Sequence, residues 1–324
     1  MRVTVVIATY NRGATLGEAL ASVEHLLVPV GWELSAVVID DGSTDGTFAE
    51  LLKERQLSAR EASSPYLEVV HRPGLTALRV ANGERGRARN LAAAYARDTF
   101  APDWFLFLDS DDVLVETALV RFAQRLERAQ DSAAIGLCYS WCAEWNGRTS
   151  PSLGKQRFSS LPEGDLAERV LVETFIPLGA TLISSAAFFS VGMFPEARAL
   201  AGSEDKILLG RLALAYPVLF APQVATWYRQ HGSNTPFAVM IHSIDLMAQE
   251  LSGDIMQKFP VSGAWHQEAF RQANILKKIG YAVFTRNLRA GWGLFIAELL
   301  RSPGILGDRR SWGLVARLCY RSIF

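Results

Sequence analysis

The sequence is poor in cysteine and carries no net charge, and both features narrow the range of functions. Three cysteines in 324 residues cannot form a disulfide framework, and the spacing of Cys138 and Cys142 fits neither a zinc knuckle nor a redox pair. We therefore expect buried thiols in a reducing compartment. Basic and acidic residues both total 33, so no net field favours nucleic acid as the main partner.

Long apolar runs and common phosphate-binding motifs are missing as well. The longest charge-poor run, residues 178–194, is interrupted by glycine, serine and threonine, so it predicts a buried strand and turn, not a membrane span. No signal peptide is predicted, because the chain enters a strand pattern at Val3 without a basic region. Neither a Gly-x-Gly-x-x-Gly motif nor a Walker lysine follows that strand, which excludes dinucleotide and P-loop sites of the usual kind. We expect a cytoplasmic protein.

Four apolar segments in the first third of the chain predict buried strands at residues 3–8, 35–39, 67–70 and 104–108. Helical patterns lie between them, so the sequence predicts an α/β protein with a Rossmann-like, mostly parallel central sheet flanked by helices. Ligands of such sheets bind at the carboxyl ends of the strands. We expect the polar residues that follow the four strands to share one edge, namely Thr9–Arg12, Asp40–Asp41, His71–Arg72 and Asp109–Asp111.

The remaining sequence is less regular. It predicts a helix at 116–130, a strand at 135–145, a loop at 146–162, a helix at 168–175, and strands at 180–189, 217–221 and 224–226. From residue 236 onwards the pattern becomes helical, which predicts a helical C-terminal extension.

The cluster Asp109-Ser110-Asp111-Asp112 has two interpretations. Carboxylates two residues apart at a strand end can point to one side and bind Mg²⁺ or Mn²⁺, with substrate phosphates completing the shell. Alternatively, Asp111 or Asp112 caps the helix that follows. Spacing alone does not separate the two.

Two further acidic pairs and one histidine each allow a structural and a functional interpretation. Asp40-Asp41 could cap a helix or accept hydrogen bonds from a base or a ribose. Glu204-Asp205 could cap a helix or supply a general base for an acceptor hydroxyl. His231 could be an ordinary histidine, a metal ligand or a phosphate contact.

Three arginines, at positions 85, 87 and 89, occupy the start of a predicted helix, where the helix dipole disfavours cations. Arg89 could pair with Asp109 or Asp111, or bind a diphosphate through its forked guanidinium. A solvated surface remains the alternative for Arg85 and Arg87.

In their order along the chain, six segments resemble the family 2 glycosyltransferases, which have the GT-A fold; they cover residues 5–12, 38–47, 86–90, 107–112, 202–205 and 228–231. The resemblance spans about the first 235 residues. It implies a GT-A catalytic domain at 1–235, with a nucleotide-binding half to about residue 115 and an acceptor half at 116–235. Residues 236–324 form a separate helical region in this interpretation.

The resemblance also implies a set of ligands and roles. A nucleoside-diphosphate sugar, with a UDP-sugar favoured, would be the donor, and Mn²⁺ or Mg²⁺ the cofactor. Asp205 would be the general base, and Glu204 would shape the acceptor side. Asp109, Asp111 and His231 would bind the metal. The donor would contact Ala8, Thr9, Tyr10, Arg12, Asp40, Asp41, Arg89, Asp109 and Ser110.

The implied reaction is a single displacement that inverts the anomeric configuration on a hydroxyl acceptor, such as a glycan, a glycolipid or a polysaccharide intermediate. The Gln-x-x-Arg-Trp signature of processive synthases is missing, so we expect a non-processive enzyme that adds a single sugar. Residues 65–85 are longer than the turn expected there. Two alternatives remain: a haloacid-dehalogenase-type phosphatase, because residues 109–113 match its Asp-x-Asp-x-Thr/Val motif, and a non-catalytic binding protein.

The C-terminal helices also have two interpretations. Their apolar residues, Trp265, Trp292, Phe295, Trp312 and Phe324, could pack on the catalytic domain or on a second copy of the chain. Alternatively, the arginines at 309, 310, 317 and 321 beside Trp312 could rest on an anionic membrane, as a peripheral contact at its inner face.

Overall fold

The computed structural model describes residues 1–55, 64–129, 131, 134–147, 161–172, 175–230, 246–247, 249–284, 288–302 and 309–323. The first part alternates strands and helices: β1 (Arg2–Thr9), α1 (Gly13–Glu24), β2 (Glu33–Asp40), α2 (Thr47–Glu54), β3 (Tyr66–Arg72), β4 (Leu75–Val80), α3 (Arg85–Phe100) and β5 (Trp104–Asp109). The middle part contains β6 (Val113–Leu114), α4 (Ala118–Glu127), β7 (Leu137–Trp145), α5 (Ala167–Val172), β8 (Thr181–Ser184), α6 (Ser185–Ser190), α7 (Glu204–Ala215) and β9 (Val218–Arg229). The last part is helical: α8 (Ser252–Lys258), α9 (Gly263–Phe284), α10 (Leu288–Arg301) and α11 (Arg309–Ile323).

All described strands join one nine-stranded sheet in the order β3-β4-β2-β1-β5-β8-β7-β9-β6. β1, β2, β4, β5, β7 and β9 run in one direction, whereas β3, β6 and β8 run in the other. The predicted α/β fold with a mostly parallel sheet and helical C-terminal region is therefore confirmed. Because six strands share a direction, their carboxyl ends meet at one edge of the sheet.

The sheet is covered on both faces, as its near-continuous apolar strands predict. Side chains alternate along β1, so that Val5 and Ile7 pack with α1, α2 and α4, whereas Val6 packs with α3, α6 and α7. Phe107 on β5 is fully buried within the second group, and burial of a side chain of this size stabilises the fold by about 2–3 kcal/mol. The two cores hold the strand ends in fixed relative positions.

The predicted strand at 67–70 forms, but its expected direction is wrong. Residues 73–74 make a tight hairpin between Arg72 and Leu75, with Gly74 at φ +77°, and β3 runs antiparallel to β4. His71 and Arg72 therefore lie at the edge opposite the other strand ends. The long segment 65–85 is largely this hairpin.

The predicted strand at 180–189 is also partly wrong. Extended structure covers only β8, and α6 begins directly after it. The Ser184 hydroxyl accepts a hydrogen bond from the Ala187 N–H at 3.4 Å, as an N-cap residue does. The predicted loop at 146–162 lies mostly outside the described residues.

The C-terminal helices pack on the rest of the protein through one side. Phe270 on α9 and Ile255 on α8 share an apolar cluster with Ile207 and Leu214 of α7. A second cluster joins α9, α10 and α11 and includes Leu318. Within the described parts of the chain, no helix is both long enough and apolar enough to cross a membrane. The predicted boundary at residue 235 falls in the undescribed residues 231–245, so it stays a prediction.

Candidate active site

A cavity of about 580 Å³ opens at the edge where the parallel strands end. Its walls come from the residues that follow β1, β2, β4 and β5 and from the start of α3. Of the residues predicted from sequence, nine line it: Ala8, Thr9, Tyr10, Arg12, Asp41, Arg89, Asp109, Ser110 and Asp111. Five further residues line it that were not predicted to bind the donor or the metal: Asn11, Asn82, Glu84, Arg85 and Arg198.

The loop after β1 takes its shape from Asn11, which has φ +51°, a conformation that asparagine tolerates better than most residues. The Asn11 N–H donates to the Ser43 hydroxyl at 2.9 Å, and its side-chain oxygen accepts from the Thr44 N–H at 2.9 Å. These bonds tie the loop after β1 to the loop after β2. Thr9 lines the cavity, and its buried hydroxyl has no hydrogen-bond partner among the described residues.

Asp41 is held in the cavity wall by the loop after β4. Its carboxylate accepts the Gly83 N–H at 2.8 Å and the side-chain amide of Asn82 at 3.2 Å. Burial raises the pKa of Asp41 despite these bonds. The carboxyl group is therefore oriented before any ligand arrives.

Asp40 lies behind the wall and does not line the cavity. It is fully buried, accepts the Ser43 N–H at 3.1 Å and lies 3.4 Å from Arg79. Burial raises the pKa of Asp40. The position indicates that Asp40 orders the turn after β2.

Three carboxylates gather in the turn between β5 and β6. Asp109, Asp111 and Asp112 each offer an oxygen, and these oxygens lie within 4.8 Å of one another. Burial, together with the negative charges of Asp109 and Asp111, raises the pKa of Asp112 to about 8. A divalent cation, which prefers oxygen ligands, would offset this repulsion, so the residues present fit Mg²⁺ or Mn²⁺. The third predicted ligand, His231, lies outside the described residues.

The alternative that this cluster caps a helix is wrong. The next helix, α4, begins only at Ala118, with Thr117 at the N-cap position. The Asp112 carboxylate instead accepts the backbone N–H of Arg229 at 2.9 Å. The cluster is thus tied to β9.

Arg229 braces the acidic turn, and sequence reasoning missed this role. Its Nε donates to the Asp111 carbonyl at 2.8 Å, and its guanidinium lies 4.3 Å from the ring centroid of Trp145. Its place in the segment Tyr228–His231, next to the predicted ligand His231, is the signal that could have indicated this role.

Arg89 connects the acidic turn to the start of α7. It is almost fully buried and donates to Asp109 at 2.5 Å and to Glu204 at 3.0 Å. Its guanidinium also lies 5.2 Å from the ring centroid of Phe194. A buried arginine with two carboxylate partners satisfies its charge, and it fixes the distance between the two acids.

Glu204 and Asp205 begin α7, next to the cavity but not among the residues that line it. Glu204 is buried, and it accepts the Gly202 N–H at 2.6 Å in addition to its bond from Arg89. Burial, reinforced by the negative charge of Glu204, raises the pKa of Asp205. A carboxylate with a raised pKa is a better proton acceptor than an ordinary surface aspartate.

Two polar side chains, whose contacts the sequence did not reveal, complete the surroundings. Asn90 donates to the Phe194 carbonyl at 2.8 Å and to Glu196 at 2.9 Å, which holds the segment before α7 against α3. Arg198 lies 2.7 Å from Glu84 at the cavity rim. Arg198 begins a 3₁₀ turn of three residues, Arg198–Leu200, which is too short for a periodic pattern to mark it.

Comparisons with known proteins agree with this geometry. The family model of glycosyl transferase family 2 matches residues 4–176, slightly over half of the chain. An uncharacterized glycosyltransferase of Mycoplasma pneumoniae, the MG060 homolog, is 33% identical over 144 residues, which are 44% of this chain and 42% of that protein. GlyG of Streptococcus pneumoniae is 24% identical over 139 residues, which are 43% and 40% of the two chains. The matches thus span less than half the length of these curated relatives.

Solved structures show the same fold. S. aureus TarS, residues 1–349, has a TM-score of 0.58 at 20% identity, covering 85% of this chain and 72% of that one. The mannosyltransferase PcManGT of Pyrobaculum calidifontis has a TM-score of 0.53 at 17% identity, covering 98% and 86%. With the fold, the cavity and the family match in agreement, the chain belongs to glycosyl transferase family 2.

Proposed function

We propose that this protein is an inverting, non-processive glycosyltransferase, which moves one sugar from a nucleoside-diphosphate sugar to a hydroxyl acceptor. The observation that carries the proposal is the cavity wall itself. It combines carboxylates suited to a divalent cation with the guanidinium of Arg89. Arg89 also bonds to Glu204, and Asp205 is the next residue in the chain. TarS has been crystallised with UDP-GlcNAc, and PcManGT with GDP-Man and Mn²⁺.

The donor would occupy the 580 Å³ cavity, whose size is typical of small-molecule sites. The nucleoside would lie against Ala8, Thr9 and Tyr10, which line one side of the cavity. The oriented carboxylate of Asp41 would accept a hydrogen bond from the base or the ribose. Arg12 and Ser110 would contact the remainder of the donor.

Asp109 and Asp111 would hold Mn²⁺ or Mg²⁺, and that ion would offset the negative charge that develops on the departing diphosphate. Arg89 keeps Asp109 in place and adds positive charge to the same wall. Asp112 and Arg229 support the turn from behind.

Asp205 would take the proton from the acceptor hydroxyl as it attacks the anomeric carbon. Attack opposite the leaving group inverts the configuration. Glu204 positions the start of α7 through its bond from Arg89. The acceptor would be a glycan, a glycolipid or a polysaccharide intermediate, and the reaction would take place in the cytoplasm.

The Asp205→Asn variant tests the proposed base. We expect the rate of transfer to fall about 10²–10⁴-fold, while affinity for the donor stays nearly unchanged, because only proton transfer is lost. Asp98→Asn on the exposed side of α3 is the control and should transfer at the wild-type rate. Transfer by Asp205→Asn within tenfold of wild type would rule out this role.

A thermal-shift panel of nucleoside diphosphates with and without Mn²⁺ tests the donor site. A ligand at 100 times its Kd stabilises the fold by about 2.7 kcal/mol, so the preferred base should give the largest shift. In the Asp111→Ala variant, Mn²⁺ should no longer increase the affinity for the nucleoside diphosphate, as measured by calorimetry. Equal shifts with and without Mn²⁺ in the wild type would contradict the metal site.

The family match excludes the phosphatase alternative. The non-catalytic alternative has no support either, because the predicted acids are all present and nine of the predicted residues line one cavity.

A further inference from the structure

The zero net charge of the chain conceals a division between its two parts. Residues 1–235 hold 22 basic and 27 acidic residues, whereas residues 236–324 hold 11 basic and six acidic ones. After α8 the contrast sharpens, since residues 259–324 hold ten basic and three acidic residues. The helical region is therefore cationic, and the catalytic part is mildly anionic.

The acids described in this stretch are mainly engaged by one arginine of α9, and only Glu268 also interacts with an arginine of the outer surface, Arg301. Glu268 and Glu298 both pair with the same arginine, Arg271, at 2.6 Å. Glu298 is buried in the contact between α9 and α10. Both carboxylates are therefore engaged by a cation of α9.

The outward face of α10 combines apolar residues with arginine and has no acid. Ile296 is 51% exposed and Leu300 is 81% exposed. The opposite face of the helix is buried through Gly291, Phe295 and Glu298. The complete exposed set is Arg289, Gly293, Ile296, Ala297, Leu300 and Arg301.

The outward face of α11 repeats this composition over the side chains that the structure describes. Trp312 is 56% exposed, and Gly313, Ala316 and Arg317 are exposed beside it. The inward face carries Leu318, which is fully buried against α9 and α10. Both helices thus pack through one side and present an apolar and basic side to solvent.

We propose that the exposed faces of α10 and α11, here called the C-terminal surface, bind the surface of an anionic lipid bilayer. Exposed isoleucine, leucine and tryptophan side chains gain by burial at the boundary between headgroups and acyl chains. Tryptophan is favoured at that depth. Arginines on the same faces reach anionic headgroups, where each basic residue strengthens binding.

The composition favours a bilayer over other partners. In a two-fold dimer the same face meets itself, so arginine would face arginine without a described acid to pair with. Nucleic acid would use the arginines and Trp312, but Ile296 and Leu300 would gain little from it. A bilayer satisfies both the charged and the apolar side chains.

Vesicle flotation of the full chain tests the proposal without donor or acceptor, so the outcome is independent of the proposed reaction. We expect binding to vesicles of phosphatidylcholine mixed with phosphatidylglycerol, weakened by added salt. Vesicles of phosphatidylcholine alone should bind far less.

Two variants separate the charged and apolar contributions. Combining Arg289→Gln, Arg301→Gln and Arg317→Gln should weaken binding on the order of 100-fold, at about fivefold for each charge. Combining Ile296→Ser, Leu300→Ser and Trp312→Ser should weaken it by at least about tenfold. All six side chains are exposed or lie on the exposed faces, and thermal melting checks that the fold survives.

The matched control removes the same charge from the other part of the chain, through Arg97→Gln, Arg121→Gln and Arg128→Gln. It should change binding less than about twofold, because these exposed arginines lie on α3 and at α4. Three results would overturn the proposal: an equal loss of vesicle binding in the control variant, binding that does not depend on phosphatidylglycerol, or no flotation of the full chain. So would a dimer, seen by light scattering, that dissociates in the apolar variant while vesicles remain unbound.

Discussion

At the residue scale, Arg89 shows how one buried charge can hold two others in place. It lies between Asp109, at the end of β5, and Glu204, at the start of α7, and almost none of it is exposed. Neither carboxylate has another described cation as close. The folded arrangement of the site therefore depends on Arg89.

Replacing Arg89 with methionine should destabilise the protein by about 3 kcal/mol, because the buried Glu204 carboxylate then keeps only the more distant Arg85, at 3.6 Å, as its cation. Urea unfolding followed by fluorescence measures the change. Arg97→Met on the same helix is the control. Its partner Asp98 is exposed, so the loss of stability should be much smaller than for Arg89→Met. Similar losses in both variants would refute the argument.

Asp40 and Asp45 should give opposite dependences of stability on pH. Burial raises the pKa of Asp40 in the folded state, so its carboxyl group stays protonated to a higher pH in the folded state than in the unfolded state. The folded state therefore loses stability as the pH rises from about 4. Asn at this position does not titrate, so Asp40→Asn should gain stability relative to wild type between about pH 3 and pH 7.

Asp45 is the comparison, because hydrogen bonds from the Thr47 side chain and backbone lower its pKa. The ionised Asp45 carboxylate therefore stabilises the folded protein at pH values above its pKa in the unfolded state. This stabilisation is lost as the pH falls through its lower pKa in the folded state. Asp45→Asn should therefore lose stability relative to wild type over the same rise in pH. Unfolding midpoints at the two pH values measure both differences, and slopes of equal sign would contradict the assignments.

At the scale of elements, the loop after β2 depends on a glycine that packs against the neighbouring loop. Gly42 has φ +74°, and a Cβ atom there would lie 2.9 Å from the Asn82 backbone nitrogen. Asn82 and Gly83 supply the hydrogen bonds that orient Asp41. The two loops therefore form one wall of the cavity.

Gly42→Ala should weaken nucleoside-diphosphate binding about tenfold, the value of one displaced hydrogen bond. Gly46→Ala is the matched control, since it has φ +89° but nothing within 4 Å of its Cβ position. Backbone strain should cost both variants about 1 kcal/mol of stability. Gly42→Ala should lose more than this, because its Cβ also meets the Asn82 backbone. Calorimetry separates them, and equal affinities would show that the contact with Asn82 does not matter.

The sequence was most informative about elements with strong local patterns. Near-continuous apolar runs predicted β1, β2 and β5, and the polar residues after them do meet at one edge. The β3–β4 hairpin was missed because its second strand, Leu75–Val80, was assigned to an overlong turn within residues 65–85. Only the turn at Pro73–Gly74 marks the change of direction. Likewise, part of a predicted strand is instead the helix α6. Its first turn is stabilised by the N-cap hydrogen bond to the Ser184 hydroxyl.

At the scale of the whole molecule, the C-terminal helices are part of the folded body through α9. Phe270→Ala should cost about 3–5 kcal/mol of unfolding free energy, because the buried ring packs against α7. Trp265→Ala on the same helix removes a ring that is 67% exposed, and should cost less than about 0.5 kcal/mol. Chemical denaturation compares the two, and equal costs would mean that α9 does not pack as described.

Long-range contacts set the limit of what sequence could predict for the site. Asp41, Asp109 and Arg89 were predicted because each follows a strand or begins a helix in a recognisable motif. The supporting contacts from Arg229 and Asn90 join residues more than 100 positions apart. No local periodicity encodes such pairs.

The order of strands in the sheet also has a consequence for protein synthesis. β9 lies between β7 and β6, although it is the last of the three to be translated. Until Arg229 leaves the ribosome, the acidic turn after β5 lacks the backbone bond to Asp112, and β6 has no described neighbour to pair with. A nascent chain can thus complete its nucleotide-binding strands early, yet its three clustered carboxylates acquire their final arrangement only after the last strand is inserted.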